Sequence, residues 1–105
     1  MSTPIKTEHP HIVRVPGVAG EEPIIAGTRI SVAFIARLHR AGEEPEEIIA
    51  SFPHLAPAAV YDAISYYLDH QDEVDRWIED NSLEKLAERA GFEIVQGGKI
   101  VFKSS

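Results

Sequence analysis

The sequence predicts a mainly α-helical α+β protein with a three-helix helix-turn-helix core, an N-terminal β-ribbon and a C-terminal β-hairpin. Short apolar runs with strand character precede residue 31, and apolar residues at helical spacing occupy residues 32–80. A Gly-Gly pair separates two further apolar runs near the end. With 105 residues the chain has the length of one domain. We assign residues 9–80 to the helix-turn-helix core, homeodomain-like or winged, and residues 82–105 to a helix-plus-hairpin extension.

The ribbon is predicted from two short runs, HIVRV at residues 11–15 and PIIAG at residues 23–27. Residues 1–10 are polar and contain two prolines, so we expect them to fray. Arg29 lies in the turn that ends the second run. A guanidinium can bond several carbonyls and a carboxylate together. We therefore expect Arg29 to tie the ribbon to the helices, with a phosphate contact as the alternative.

Three helices with short connections follow the ribbon. Ser31 is a good N-cap for a first helix over residues 32–41. A second helix covers residues 46–52, and a third begins at Pro57, a residue type favoured in the first turn of a helix. The apolar spacing that begins at Pro57 predicts either one long helix or two helices with a break near Gln71. This spacing is typical of a helix-turn-helix unit, whose third helix lies in the DNA major groove.

The C-terminal region predicts a helix over residues 83–90 and then a hairpin, FEIVQ-GG-KIVFK. With a two-residue loop, Val95 faces Ile100 and Ile94 faces Val101. Both faces of this hairpin would then be partly apolar, and a lone hairpin cannot bury both. We expect one face to pack against a second copy of the chain or another protein. Burial of both faces within the monomer is the alternative.

Composition excludes several classes of protein. The chain has no cysteine, which excludes disulfides and zinc sites built on thiolates. It has no signal segment and no apolar run near the ~18 residues of a membrane span, so we expect a cytoplasmic protein without membrane contact. The net charge is −7, and residues 57–81 carry seven acidic side chains against one basic side chain. Such a block steers partners electrostatically and repels nucleic acid.

Two long stretches carry a family resemblance: HIVRVPGVAGEEPIIAGTRISV and AGEEPEEIIASFPHLAPAAVYDAISYYLDH. Over about residues 9–80 they resemble the bacterial family catalogued as domain of unknown function 433. GTRISV, the Pro-Glu-Glu-Ile helix start and the FPHL-x-P linker fall in the family's order. The resemblance implies an antitoxin-like, VapB-type protein with a helix-turn-helix, encoded beside a PIN-like nuclease as in VapBC-type pairs. Two residues depart from the family: Glu21 replaces the second glycine of a Gly-Gly pair, and Ala56 replaces a capping threonine.

Contact with DNA is one function that these helices suggest. The third helix has five predicted outward residues, none of them basic: Ala58, Ala59, Tyr61, Asp62 and Ser65. Tyr61 and Ser65 can hydrogen-bond to DNA, whereas Asp62 repels phosphate. Positive charge is available from Arg29, Arg37 and Arg40. The alternative for Arg37 and Arg40 is internal pairing with four nearby acids, namely Glu43, Glu44, Glu46 and Glu47.

Contact with a protein partner is the other function. An acidic cluster, whose members lie just before Trp77, contains Asp69, Asp72, Glu73 and Asp75. It is a solvated helix face, a surface that docks onto the basic groove of a nuclease, or a divalent-metal site. Trp77 and Ile78 lie beside it, either as an interface anchor or as core residues. The six candidate partner-binding residues are these four acids, Trp77 and Ile78.

Metal and catalytic chemistry receive little support. His9 and His11 would share one face of a strand, but neither a cysteine nor a nearby carboxylate completes a metal shell. Ser31 and Ser51 lack recognisable His/Asp partners, and no loop has the Lys of a P-loop. We expect no cofactor, no metal and no enzyme. The leading hypothesis is an antitoxin-like protein that binds a PIN-like toxin, with operator DNA as a secondary candidate ligand. The rival is a dimeric interaction module that binds no nucleic acid.

Overall fold

A computed structural model describes residues 3–16, 21–95 and 99–102 of the chain. The described chain has an α+β architecture with a small antiparallel sheet towards each end, which confirms the predicted fold class. In chain order, its elements are β1 (Ile5–Lys6), β2 (Ile12–Arg14), β3 (Pro23–Ile25), α1 (Val32–Arg40), α2 (Pro45–Ser51), α3 (Pro57–Asp69), α4 (Gln71–Asp80), α5 (Leu83–Ala90), β4 (Phe92–Val95) and β5 (Lys99–Phe102).

The N-terminal sheet has three antiparallel strands in the order β1-β2-β3. Ile12 pairs with Ile25, which confirms the two predicted strands, but Ile5 also pairs with Arg14. The expectation that residues 1–10 fray is therefore wrong at β1. The Thr7 hydroxyl donates a hydrogen bond of 2.8 Å to the Ile12 carbonyl oxygen. This bond closes the turn between β1 and β2 without an apolar side chain, which is why hydropathy did not reveal it.

The turn between β3 and α1 is closed by Thr28 and not by Arg29. The Thr28 hydroxyl donates to the Ile25 carbonyl oxygen at 2.8 Å and accepts from the Ile30 N–H at 3.0 Å. Gly27 has a φ of 77°, a left-handed conformation that glycine adopts at little cost. Arg29 is exposed and has no hydrogen bond or ion pair with another described residue. The expectation that Arg29 ties the ribbon to the helices is wrong because the hydroxyl and the backbone already complete this turn.

Helix α1 lies at the centre of the core and packs against α3, α4 and α5. It begins at Ser31, whose hydroxyl accepts the Phe34 N–H at 3.0 Å, as predicted for an N-cap. Its first five residues, 32–36, are all buried. A helix that is apolar on every side is stable only when other elements cover it. The surrounding helices and the N-terminal sheet provide that cover.

The long pattern that starts at Pro57 forms two helices. His70 separates them, with φ −134° and ψ 47°, and it serves as the C-cap of α3 and the N-cap of α4. This confirms the predicted alternative of a break near Gln71. Val60, Ile64 and Tyr67, which belong to the apolar pattern of α3, are buried. Leu68, which belongs to the same pattern, is 58% exposed. None of the described helices combines the length and the apolarity needed to cross a membrane.

The C-terminal hairpin has a different register from the predicted one. Ile94 pairs with Ile100, and Val95 pairs with Lys99, so three residues separate the strands where two were expected. The predicted Gly-Gly turn lies outside the described residues. A shift of one residue reverses the faces of a strand. The prediction therefore placed Ile94 and Ile100 on opposite faces of the hairpin, whereas they share one face.

The corrected register gives the hairpin one face directed at the core. Phe92 is buried, and Ile94 and Ile100 pack against the core from the same face. Glu93 and Val95, on the opposite face, are exposed. The opposite face still carries two apolar side chains, Val95 and the partly exposed Val101, so the expectation of a homodimer stays a prediction.

Candidate functional site

Asp62 fastens the N-terminal ribbon to α3. Its Oδ2 accepts the backbone N–H of His11 at 2.8 Å, and its Oδ1 lies 2.8 Å from Nδ1 of His9. The Asp62 side chain is only 14% exposed. The prediction that Asp62 points outward and repels phosphate is therefore wrong, because the segment between β1 and β2 covers that side of α3. Ala59, also predicted to point outward, is buried as well.

His9 is buried between two carboxylates. Its Nδ1 faces Asp62, and its Nε2 lies 2.8 Å from Oδ2 of Asp69. Burial disfavours the charged imidazolium, but the hydrogen bonds with Asp62 and Asp69 outweigh this effect and raise the pKa of His9. With carboxylate oxygens at both nitrogens, the ring is held in the form in which both nitrogens donate.

His70 lies next to His9 at the break between α3 and α4. Its Nε2 is 3.0 Å from Oε2 of Glu8, and its ring stacks on Tyr66 with centroids 4.3 Å apart. One potential ligand atom from each of Glu8, His9 and His70 lies within 4.8 Å of the others. We call Glu8, His9, Asp69 and His70 the histidine cluster. The expectation that no carboxylate lies near His9 is wrong, because folding brings α3 and α4 beside the ribbon.

Tyr66 connects the histidine cluster to an ion pair. Its hydroxyl donates to Oε1 of Glu73 at 3.1 Å and accepts from Nη2 of Arg14 at 2.5 Å. The same guanidinium nitrogen lies 2.6 Å from Oε2 of Glu73. Burial, reinforced by the negative charge of Glu73, raises the pKa of Tyr66 to about 12. The phenol therefore stays protonated at neutral pH and acts as a structural donor.

The structure disperses the predicted partner-binding residues. Asp69 contacts His9, and Glu73 contacts Arg14, as described above. Asp75 accepts from the Tyr67 hydroxyl at 2.9 Å and lies 3.3 Å from Arg40. Asp72 is exposed, Trp77 is half-buried against the core, and Ile78 is a core residue with 6% exposure. Asp69 and Asp72 therefore present the largest exposed surfaces, whereas Ile78 offers little to a partner.

The predicted nucleic-acid residues fall into separate groups. Arg29 lines a surface depression with Lys85 and Arg89 of α5. Arg37 and Arg40 line another depression with the end of α4. Three of the four expected internal partners are engaged elsewhere, since Glu44 and Glu47 form a capping box at the start of α2 and Glu46 accepts from Tyr61. Arg40 pairs instead with Asp75 of α4.

Tyr61 and Ser65 belong to another surface, where Tyr61 donates to Glu46 of α2 at 3.1 Å. An exposed stripe runs along α3 at intervals of three or four residues, and we call it the α3 outer face: Ala58, Tyr61, Ser65 and Leu68. Tyr61 is 46% exposed and Leu68 58% exposed. The stripe contains no charged residue, although α3 and α4 together are strongly acidic.

Sequence reasoning considered His9 and Asp69 separately and did not connect them with each other or with Glu8 and His70. A detectable signal was present in α3, where Asp62, Tyr66 and Asp69 recur at spacings of four and three residues. Such spacing places three polar side chains on one helix face. A second polar face on an otherwise buried helix indicates that another polar segment covers it. Only the fold identifies that segment as the turn between β1 and β2.

The comparisons with known proteins place this α+β chain in one protein family. The family described as protein of unknown function (DUF433) matches residues 12–67. This is more than half of the chain, and the chain belongs to that family. The crystal structure of a DUF433 member protein from Anabaena variabilis ATCC 29413 is similar at 30% identity and a TM-score of 0.60. The match covers 66% of this chain and 68% of that one. Among curated proteins, none matches the sequence.

Proposed function

We propose that the chain is an antitoxin-like regulatory protein that binds a PIN-like nuclease through the α3 outer face and the neighbouring acidic residues. The observation that carries this proposal is the exposure of Tyr61 and Leu68 on one uncharged helix face. Large exposed apolar side chains that lie together indicate an interaction surface. The nuclease itself is implied by the family resemblance and is part of the proposal.

Charge supports a basic protein as the partner. Residues 57–81 carry a net charge of −6, because they contain seven acidic side chains and one basic side chain. Glu73, Asp75 and Asp69 all have internal ion-pair partners, but Asp69 is still 59% exposed beside Leu68, and Asp72 is exposed as well. An apolar stripe with an acidic margin is complementary to a protein groove lined by Lys and Arg. The same charge opposes the docking of α3 into DNA.

The experiment uses the tagged full-length chain and a nuclease-like protein encoded beside it. We expect the two to form a complex and the nuclease to lose activity on RNA when the chain is added. Leu68→Arg should weaken this complex by roughly tenfold or more, because it places a cation and a longer side chain at the centre of the interface. The matched control is Val95→Arg, since Val95 is also exposed and apolar but lies on the hairpin.

Two results would overturn the proposal: no inhibition of the nuclease, or equal inhibition by Leu68→Arg and Val95→Arg. A chain that elutes alone as a dimer, and dissociates with Leu68→Arg, would favour the dimeric interaction module instead. Autoregulation through DNA is a further part of the hypothesis. It would use Arg29 and Lys85 beside α5 in place of α3. A salt titration of operator binding with Arg29→Ala tests it, because each lost phosphate contact lowers the salt dependence.

A further inference from the structure

We propose that Glu8, His9, Asp69 and His70 form a binding site for one divalent transition-metal ion of the Zn²⁺ type. Asp62 is the positioning residue of this site. The proposal is independent of the nuclease partner, because it concerns only side chains of this chain, and the metal is tested on the chain alone.

The donor atoms match the preference of Zn²⁺ in both type and number. Zinc sites in proteins usually have four ligands, and imidazole nitrogens and carboxylate oxygens are among the ordinary ones. The cluster offers two imidazoles and two carboxylates. Larger, harder ions such as Ca²⁺ require oxygen ligands and a higher coordination number. The two histidines therefore favour zinc and its transition-metal neighbours.

The distances bring three of the four side chains together and place Asp69 beside one of them. Zn–N and Zn–O bonds of about 2.0–2.2 Å place tetrahedral ligand atoms roughly 3.4 Å apart. Nε2 of His9 and Oδ2 of Asp69 are 2.8 Å apart, and Nε2 of His70 and Oε2 of Glu8 are 3.0 Å apart. Potential ligand atoms of Glu8, His9 and His70 all lie within 4.8 Å of one another. Asp69 is not one of these three and joins them through its contact with His9, so a rotation of Asp69 towards the other two would complete a four-ligand shell.

Asp62 supplies the outer-shell contact that zinc-binding histidines usually have. A metal-bound imidazole commonly donates its other N–H to a carboxylate, which sets the tautomer and the orientation of the ring. Nδ1 of His9 faces Asp62, whose second oxygen is itself fixed by the His11 backbone N–H. Nε2 of His9 is thereby directed towards Asp69 and the remaining ligands. Binding of the ion replaces the proton that Nε2 shares with Asp69, and this proton is released to solvent.

The position of the site gives the ion access and gives it a structural effect. The side chains of Glu8 and Asp69 are 62% and 59% exposed, whereas His9 is buried. An ion can therefore enter from solvent and coordinate a buried nitrogen. Because Glu8 and His9 belong to the ribbon and the other two ligands lie at the junction of α3 and α4, the ion would cross-link these two parts of the fold.

The test is a titration of the full-length chain, free of any polyhistidine tag, with ZnCl₂. We expect calorimetry to show one ion per chain, and the melting temperature to rise in a saturable way because the ion binds the folded state. His70→Gln and Glu8→Gln alter side chains that are 31% and 62% exposed and lie outside the core, so both variants should fold. Each should weaken Zn²⁺ binding at least as much as the roughly 10–100-fold typical of outer-shell changes. His54→Gln is the histidine control and Asp72→Asn the carboxylate control, and both should bind as the wild type does.

Three results would overturn the site. They are no saturable binding by the wild type, a stoichiometry other than one, or equal loss of binding in His70→Gln and His54→Gln. Co²⁺ provides a second readout that does not depend on stability. We expect the intense visible absorption of four-coordinate Co²⁺ in the wild type and its loss in His70→Gln. A weak six-coordinate spectrum in the wild type would contradict the four-ligand shell.

Discussion

Arg14 and Glu73 join the N-terminal sheet to α4 through a contact of 2.6 Å between Nη2 and Oε2. The two side chains are 28% and 30% exposed, so solvent screens their attraction only in part. Tyr66 bonds to both of them, which makes the pair a three-residue unit. The contact fixes the last residue of β2 against a helix that begins only after the break at His70.

Loss of Arg14 should destabilise the fold more than loss of a comparable surface arginine. Arg14→Met leaves the partly buried Glu73 carboxylate without its cation, and we expect the free energy of unfolding to fall by about 1–3 kcal/mol. Arg40→Met is the control, because its pair with Asp75 is longer and more exposed. That variant should lose only about 0–1 kcal/mol. Urea unfolding at neutral pH measures both, and equal losses would contradict the prediction.

A capping residue at position 56 should stabilise α3. Ala56 is the N-cap and has no side chain that can accept a backbone N–H. Ala56→Ser supplies that acceptor, and we expect a gain of about 1 kcal/mol, or roughly 4–8 °C in melting temperature. Ala58→Ser is the matched control within the first turn, where serine only lowers helix propensity. The prediction fails if thermal unfolding shows the same change for both variants.

The variant Glu21→Gly should be more stable than the variant Glu21→Ala. Glu21 has a φ of 66°, a left-handed conformation that costs a residue with a Cβ about 1–2 kcal/mol. Glu21→Gly removes this strain, whereas Glu21→Ala retains it. At most positions alanine is the more stable of the two, because glycine has the larger conformational entropy when unfolded. Chemical unfolding therefore tests the sign of the difference in free energy of unfolding between the two variants. An alanine variant at least as stable as the glycine variant would rule out strain at this residue.

Neutralising Glu22 should stabilise the protein at neutral pH. The side chain is 2% exposed, and its Oε1 lies 3.4 Å from Arg89. Burial raises the pKa of Glu22 and outweighs the opposing effect of the Arg89 charge. A carboxyl whose pKa is higher in the folded state than in the unfolded state destabilises the fold when ionised. This penalty disappears once the pH falls below the unfolded pKa, near 4.5.

Glu22→Gln should therefore melt at a higher temperature than the wild type at pH 7. The difference between the two should shrink as the pH is lowered towards about 4.5, where the wild-type carboxyl is protonated in both states. Glu88→Gln, an exposed acid on the neighbouring α5, is the control and should show no such convergence. A constant difference between Glu22→Gln and the wild type across this pH range would mean that ionisation of Glu22 is not the cause.

Local chemistry predicted the helices well and the contacts between distant segments poorly. Ser31 and Ser82 both cap helices as such residues should, and Gly91 ends α5 with a φ of 86°. These signals operate within a few residues of the chain. The hairpin register was wrong because the predicted pair Val95–Ile100 and the observed pair Ile94–Ile100 are both apolar, so hydropathy does not distinguish the two registers.

The candidate site depended on contacts that no local pattern contains. His9 was considered with His11, two residues away, but its actual partner is Asp62. A helical wheel assigned Asp62 to solvent because it took no account of the ribbon that covers this side of α3. Tyr61, in contrast, was correctly predicted to point outward: it is 46% exposed, because none of the described elements fully covers its side of the helix.

The contacts between the ribbon and α3 also constrain the order in which the chain folds. They join residues that are 51, 53 and 60 positions apart. Closing loops of this length costs entropy before any bond forms, so distant contacts slow folding relative to local helix packing. On the ribosome, the ribbon emerges before α3 and must wait for α3 to be synthesised. We therefore expect the ribbon to reach its native place after the helices that follow it in the chain.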